Sequence, residues 1–291
     1  MSELKVFVAV ATVGRADLTR RTVDRLVEQT RPADGVVVVG ASPADIEGVE
    51  QARGAPEVLL AEKGLCRQRN RALDAILGRA DIVVFLDDDY VAAPDFIEQV
   101  TKIFRDRPNV VGVTGHLIAD GIHNQGFQFD EAVALIAADA DAEPYELTRE
   151  ALYGCNMCIR LSAAEGLRFD DVLPLYGWQE DIDFTYQLGQ RGDMVKSSLV
   201  RGVHMGTKGG RTAGNRIGYS QIANPVYLLR KRTMPPHLGW RLMRQNLLSN
   251  TVRSLAPEAH IDRRGRLAGN LAALRDLVTG RLDPRRILEM G

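Results

Sequence analysis

The sequence predicts an α/β fold: a mostly parallel sheet with helices on both faces, followed by a helical C-terminal extension. Three observations predict it. Short β-branched runs alternate with stretches of helical spacing over the first 90 residues. Several of those runs end in small or polar residues, as strands do where they open onto a ligand crevice. From about residue 225 the pattern changes to long stretches rich in Leu and Arg.

The elements follow in order. VFVAVAT (6–12) is a short buried strand. LTRRTVDRLVEQT (18–30) has Leu18, Val23, Leu26 and Val27 at helical spacing. GVVVVGAS (35–42) and PEVLLAE (56–62) read as strands, CRQRNRALDAILGRA (66–80) as a helix, and DIVVFLDDD (81–89) as the fourth strand. VVGVTGHLIADG (110–121) reads as strand and turn, and ALYGCNMCIRLSAAEG (151–166) as strand into helix. YGWQEDIDFTYQLGQRG (176–192) reads as a loop feeding a helix that stops at Gly189 or Gly192, and MVKSSLVRGVHMGT (194–207) as a strand. The division expected is an α/β domain over 1–224 and a basic, amphipathic helical region over 225–291. In the latter, Leu238, Leu242, Leu248, Val252 and Leu255 interleave with Arg241, Arg244 and Arg253 after a Pro-Pro break.

Composition is that of an ordinary globular protein, 45% hydrophobic and 26% charged. No apolar run is long enough to cross a bilayer, and nothing resembles a signal peptide. Three cysteines make a disulfide framework an unsuitable reading and fit a reducing cytoplasm. Cys155 and Cys158 form a lone CxxC, read as inert and buried. Charge is unevenly spread. Residues 225–291 carry thirteen Lys and Arg against five Asp and Glu, a net of +8, and the remainder is net −9. A basic tail on an acidic body suits an anionic surface.

Asp87, Asp88 and Asp89 stand side by side where a buried strand ends. Like charges crowded there repel, and burying them is costly without a positive partner. A divalent cation, which prefers oxygen ligands, would relieve the repulsion. A solvated turn or a helix cap is the alternative for this segment alone.

The surroundings sharpen the reading. LDDDYVAAPDF resembles the DxD motif of GT-A glycosyltransferases, specifically glycosyltransferase family 2. VFVAVATVGRADLTRRTVDRLVEQT resembles that family's opening strand, loop and helix. GLCRQRNRALDAILGRADIVVFLDDD resembles its RN pair and the helix leading to the aspartates, and YGWQEDIDFTYQLGQRG its "ED" segment. The resemblance covers roughly residues 4–210, with the motifs in the family's order. It implies a Rossmann-like nucleotide-binding sheet, Mn²⁺ or Mg²⁺, and an inverting transfer from a nucleotide-sugar. UDP-sugars are the expected donors, with dTDP- and GDP-sugars as alternatives.

The resemblance also implies roles. Asp89 matches the metal-binding acid of the DxD, and Asp87 the acid that meets the ribose or a metal-bound water. Asp88 faces away or shares the ribose. His204 matches a late histidine used as a third metal ligand. Asp181 of the "ED" pair is the expected general base, with Glu180 positioning the acceptor. Thr12 and Arg15 fall where contacts to base and ribose begin. Arg69 is expected near the base or diphosphate, with Asn70 capping a helix. Many relatives end the second strand with an acid that pairs with uracil. Here GASPADIE places Asp45 several residues further on, which leaves the base open. Trp178 and Asn156 fall on the acceptor side, and Lys208 and Arg211 in a Gly-rich loop suited to clamping phosphate.

The C-terminal stretch is like those of bacterial polysaccharide-assembly members. It implies a saccharide acceptor carried on a lipid and contact of residues 226–291 with an anionic membrane, on the cytoplasmic face. A helical extension that packs on the domain or makes a homodimer is the competing use of the same helices. Two other functions compete. A nucleotidyltransferase or sugar pyrophosphorylase should show a Gly-rich loop after the first strand, where ATVGRADL has one glycine. A basic-tailed nucleic-acid-binding protein should interleave aromatics with its basic residues, and beyond Trp240 it does not; no nucleic acid is expected as a partner.

Overall fold

The structure, a computed structural model, describes residues 3–139, 143–207, 213–258 and 261–290. Among the described residues nine strands form one sheet: β1 (Val6–Thr12), β2 (Gly35–Gly40), β3 (Glu57–Leu60), β4 (Ile82–Asp87), β5 (Tyr90–Ala92), β6 (Val110–Asp120), β7 (Glu146–Thr148), β8 (Asn156–Arg160) and β9 (Asp193–His204). The helices are α1 (Ala16–Leu26), α2 (Leu65–Ile76), α3 (Phe96–Asp106), α4 (Phe129–Ala138), α5 (Glu180–Leu188), α6 (Gly214–Lys231), α7 (Pro236–Arg253) and α8 (Arg263–Val278).

The sheet order is β3-β2-β1-β4-β8-β6-β9-β5, with β7 paired to β9. The first four strands are parallel. Beyond β4 the sheet is mixed: β8 runs antiparallel to both β4 and β6, while β6 and β9 are parallel. Strands covered on both faces read as unbroken apolar runs, and β1, β2 and β4 do. α3 presents Phe96, Ile97, Val100, Ile103 and Phe104 to the core, one stripe at helical spacing. That helix and α4 carried no assignment from sequence.

Parallel register brings the strand ends to one edge. Thr12 stands opposite Gly40, and Ala11 opposite Asp87. Two further pairings build the site. β5 runs antiparallel to β9 with Tyr90 opposite His204, and β6 runs beside β9 with Asp120 opposite His204. The aspartate turn, His204 and Asp120 therefore share one patch of sheet edge.

By packing, the chain divides into two compact units. One comprises residues 1–63, 67–168 and 187–210 and holds the whole sheet. The other comprises 64–66, 169–186 and 211–291, with most of α5 and all of α6, α7 and α8. This division differs from a boundary at 224/225, because α6 runs through Asn224 and Pro225 without a break. Tyr219, Ile222 and Ala223 of α6 share a core with Met243, Ala273 and Ile287.

α6 and α8 approach so closely that only glycine fits at the crossing. A Cβ at Gly218 would lie 2.0 Å from the Arg266 carbonyl oxygen, and one at Gly269 2.0 Å from that of Asn215. Amides bind the same crossing to α7. Asn250 donates to Gln221 at 2.8 Å and to Asn270 at 2.9 Å, and Asn270 donates to the Gly218 carbonyl at 2.6 Å. α7 itself is not simply amphipathic as expected. Gly239, Met243 and Asn250 are buried, but Leu248 and Val252 face solvent beside the arginines.

Candidate metal centre

Asp87 closes β4, Asp88 and Asp89 form the turn, and Tyr90 opens β5. The turn separates the three carboxylates. Asp88 points inward: Thr12 donates to its Oδ2 at 2.7 Å, and the Arg15 guanidinium lies 2.9 Å from its Oδ1. The Thr22 hydroxyl donates to its backbone carbonyl at 2.9 Å. Burial pushes Asp88 up to about 7, with Arg15 opposing and the charge of Asp89 adding to the rise. Asp88 is thus an anchor between the turn and the end of β1.

Asp87, Asp89 and His204 face one another. Each offers a ligand atom, and the three atoms lie within 4.8 Å of one another. His204 Nε2 is 3.3 Å from Asp89 and 3.8 Å from Asp87. Burial would raise the pKa of Asp89, but the His204 hydrogen bond and charge, the Arg15 guanidinium and the Thr207 N–H outweigh it and hold Asp89 at about 2. The Thr207 N–H donates to Asp89 Oδ2 at 2.8 Å. Gly206 makes that approach possible: its φ of +65° and a backbone contact that a Cβ would violate both require glycine.

Sequence reasoning missed Asp120. Its Oδ1 lies 3.0 Å from His204 Nδ1 and accepts the Ile122 N–H at 3.1 Å, while its Oδ2 accepts the Tyr153 hydroxyl at 3.2 Å. Burial would lower the pKa of His204, yet the bonds to Asp120 and Asp89 and the surrounding acids push it up to about 10. The imidazole is thus held by Nδ1 with Nε2 aimed at the two acids. A carboxylate in this place orients a metal-binding histidine and raises its basicity. The donor set, two carboxylates and one imidazole at a strand edge, fits a divalent ion of the Mn²⁺ type, since imidazole suits borderline metals better than Mg²⁺. An imidazole that takes a metal gives up its proton, so metal and proton compete at Nε2. Asp120→Asn is expected to weaken Mn²⁺ binding by about 10- to 100-fold, read by titration of the Mn²⁺ EPR signal. Unchanged affinity would remove Asp120 from the centre.

Several residues expected near the ligand bond within the protein. Asp45 is buried, and both its oxygens serve the chain. Gly14 N–H donates to Oδ1 at 2.6 Å, while Ala41 N–H and the Ser42 hydroxyl bond Oδ2 at 3.1 and 2.9 Å. Arg69 is buried, paired with Asp87 at 3.2 Å and donating to the Gly154 carbonyl at 2.9 Å. Arg69 thus steadies one acid of the cluster. Asn70 lies inside α2, not at its cap. Asn156, expected on the acceptor side, is fully buried and bonds Thr114, Gly115 N–H and Tyr90. Cys155 and Cys158 are buried and free, as expected, and burial pushes the Cys158 thiol up. Lys208 and Arg211 lie outside the described residues.

The "ED" segment belongs to the second unit. Glu180 and Asp181 open α5. Asp181 is half-buried and its Oδ1 accepts the Ile182 N–H at 2.8 Å. Asp183 is fully buried and taken by Lys231 at 2.8 Å, which also meets Asp170 at 2.6 Å. Its charge is therefore matched. Just before α5 the backbone is strained, with positive φ at Leu175 and Gln179. Trp178 Nε1, Gln179 Oε1 and Asn224 Oδ1 are buried without a partner among the described residues. Asn224 donates to the Trp178 carbonyl at 2.7 Å, which joins α6 to this loop. Tyr176 stands exposed with its ring 6.1 Å from that of Trp178.

Comparison with known proteins agrees on fold and sequence pattern. Residues 7–130 match the model described as glycosyl transferase family 2. A glucosyl-dolichyl phosphate glucuronosyltransferase of Haloferax volcanii is 28% identical over 137 residues, 44% of this chain and 43% of that protein. The matched stretch is thus less than half of that relative. The structure of a mannosyltransferase from Pyrobaculum calidifontis, in complex with GDP-Man and Mn²⁺, aligns with a TM-score of 0.55 at 19% identity, covering 99% of this chain and 86% of that one. Residues 1–349 of TarS from S. aureus align with a TM-score of 0.57 at 14% identity, covering 96% and 82%.

Proposed function

From residues 7–130 carrying the family 2 glycosyl transferase sequence on a GT-A fold, we propose that the protein moves a sugar from a nucleoside diphosphate to a hydroxyl of a saccharide. The observation that carries the reading is the Asp87, Asp89 and His204 cluster at the strand edge, with Asp120 behind it. Mn²⁺ bound there would act as a Lewis acid and offset the charge that grows on the departing diphosphate. Asp181 is the base: it takes the acceptor's hydroxyl proton. The freed oxygen attacks the anomeric carbon, the new C–O bond forms as the bond to phosphate breaks, and the nucleoside diphosphate leaves with the electron pair. Attack opposite the leaving group inverts the anomeric centre. Glu180 positions the acceptor, with Trp178 beside it.

A UDP-sugar is the favoured donor, ahead of dTDP- and GDP-sugars. The acceptor is a saccharide carried on a lipid, in polysaccharide assembly at the cytoplasmic face of a membrane. The nucleotidyltransferase reading gains no support, since the turn after β1 has a single glycine whose N–H is already bonded to Asp45. Calorimetry with UDP, GDP and dTDP tests the donor. UDP is expected to bind in a Mn²⁺-dependent way and more tightly than the other two. Absence of binding by all three nucleotides, with and without Mn²⁺, would overturn the transferase reading.

A further inference from the structure

From residue 194 to residue 257 the chain has no Asp or Glu at all. α7 lies within that stretch, and one side of it is exposed. Trp240, Arg244, Leu248 and Val252 follow at intervals of four, so they form a single row along the helix about 18 Å long. Trp240 is 67% exposed, Leu248 58% and Val252 66%. Leu255, just past the helix, is 85% exposed. Arg241 flanks the row and is itself exposed. Scattered apolar side chains on a surface are ordinary, but a row of three on one helix, interleaved with arginines and free of acids, is not.

We propose that this face of α7 docks on an anionic lipid surface. Trp240, Leu248 and Val252 would enter the boundary between headgroups and acyl chains, and Arg241 and Arg244 would meet lipid phosphates. Among the described residues no helix is long and apolar enough to cross a membrane, so the contact is a surface one. Charge argues for lipid over a second copy of the chain. A two-fold contact through this face would gather Arg241 and Arg244 of both copies with no acid on the face to offset them. It also argues against nucleic acid, since leucine and valine gain nothing against a phosphate backbone. Only the further step, that the same lipid layer holds the acceptor, rests on the transferase reading.

The test needs no donor, metal or acceptor, so it separates from that reading. The protein has two tryptophans, and Trp178→Phe leaves Trp240 as the sole emitter. With phosphatidylglycerol vesicles the protein should float, and Trp240 emission should shift to the blue. Pure phosphatidylcholine vesicles should bind it less. Arg241→Gln with Arg244→Gln should cost about 30-fold in partitioning to phosphatidylglycerol, from about a factor of five for each charge near the surface. Leu248→Ser with Val252→Ser should abolish the shift, with circular dichroism unchanged because these side chains are exposed. Failure to float with phosphatidylglycerol, or equal binding by both double variants and the unaltered chain, overturns the proposal. So does a dimer in solution that Leu248→Ser dissociates, which would make the face an interface between copies.

Discussion

Alanine at position 89 is expected to abolish Mn²⁺-dependent nucleotide binding. Asp89 is buried in the turn after β4, held ionised at about 2, and faces His204 Nε2 at 3.3 Å. Its removal takes a carboxylate from the donor set and leaves Arg15 and His204, both drawn to it, without their shared counter-charge. Turnover should fall on the order of 10³-fold, the scale of losing a group that offsets charge in the transition state. Asp89→Asn separates the two effects. It keeps the side chain's shape and an oxygen for the Thr207 N–H, so folding should be spared while metal binding is lost. Calorimetry with UDP and Mn²⁺ on both variants checks it. Metal-dependent binding that survives either change would remove Asp89 from the centre.

Asp181→Asn should act in the opposite manner, leaving donor binding intact while transfer drops by about 10²- to 10⁴-fold, the range for losing a positioned base. The amide can still accept the Ile182 N–H that Asp181 accepts at 2.8 Å, so α5 should start as before. The Asp170, Asp183 and Lys231 cluster does not depend on Asp181, because the buried Asp183 is held by Lys231. The informative readout is the split between nucleotide affinity and turnover, and full turnover in Asp181→Asn would reassign the base. Asp183→Asn is a useful contrast. It removes a partner of Lys231 and should lower the melting temperature rather than act on the proton transfer.

Much of this was legible along the chain. The alternation of β1, α1, β2, β3, α2 and β4 follows from local periodicity, and the expected spans of those elements hold to within a few residues. The aspartate turn stood out as three like charges at the end of an apolar run, and the surrounding motifs turned the balance from a solvated turn or helix cap toward a metal site. His204 was reachable only through resemblance, since one histidine in RGVHMGT carries no periodic signal. Asp120 had no signal at all. It sits in IADG, which reads as a turn, and becomes part of the centre only because β6 places it opposite His204.

Asp45, Arg69 and Asn156 show the same limit from the other side. Residue type and motif position marked them as ligand contacts, but each has a protein partner brought from a distant stretch: Gly14, Asp87 and Thr114. Polar groups that become buried must bond to whatever folding brings within reach, and that neighbour is set by strand register and loop path. The local pattern of charge and hydrophobicity by itself determined the parallel first four strands, the acidic turn and the net-basic tail. Tertiary structure alone decided which carboxylates face the candidate metal site, which are spent as anchors, and which side of α7 stays open, because pairing across strands and packing between helices join residues that the chain keeps far apart.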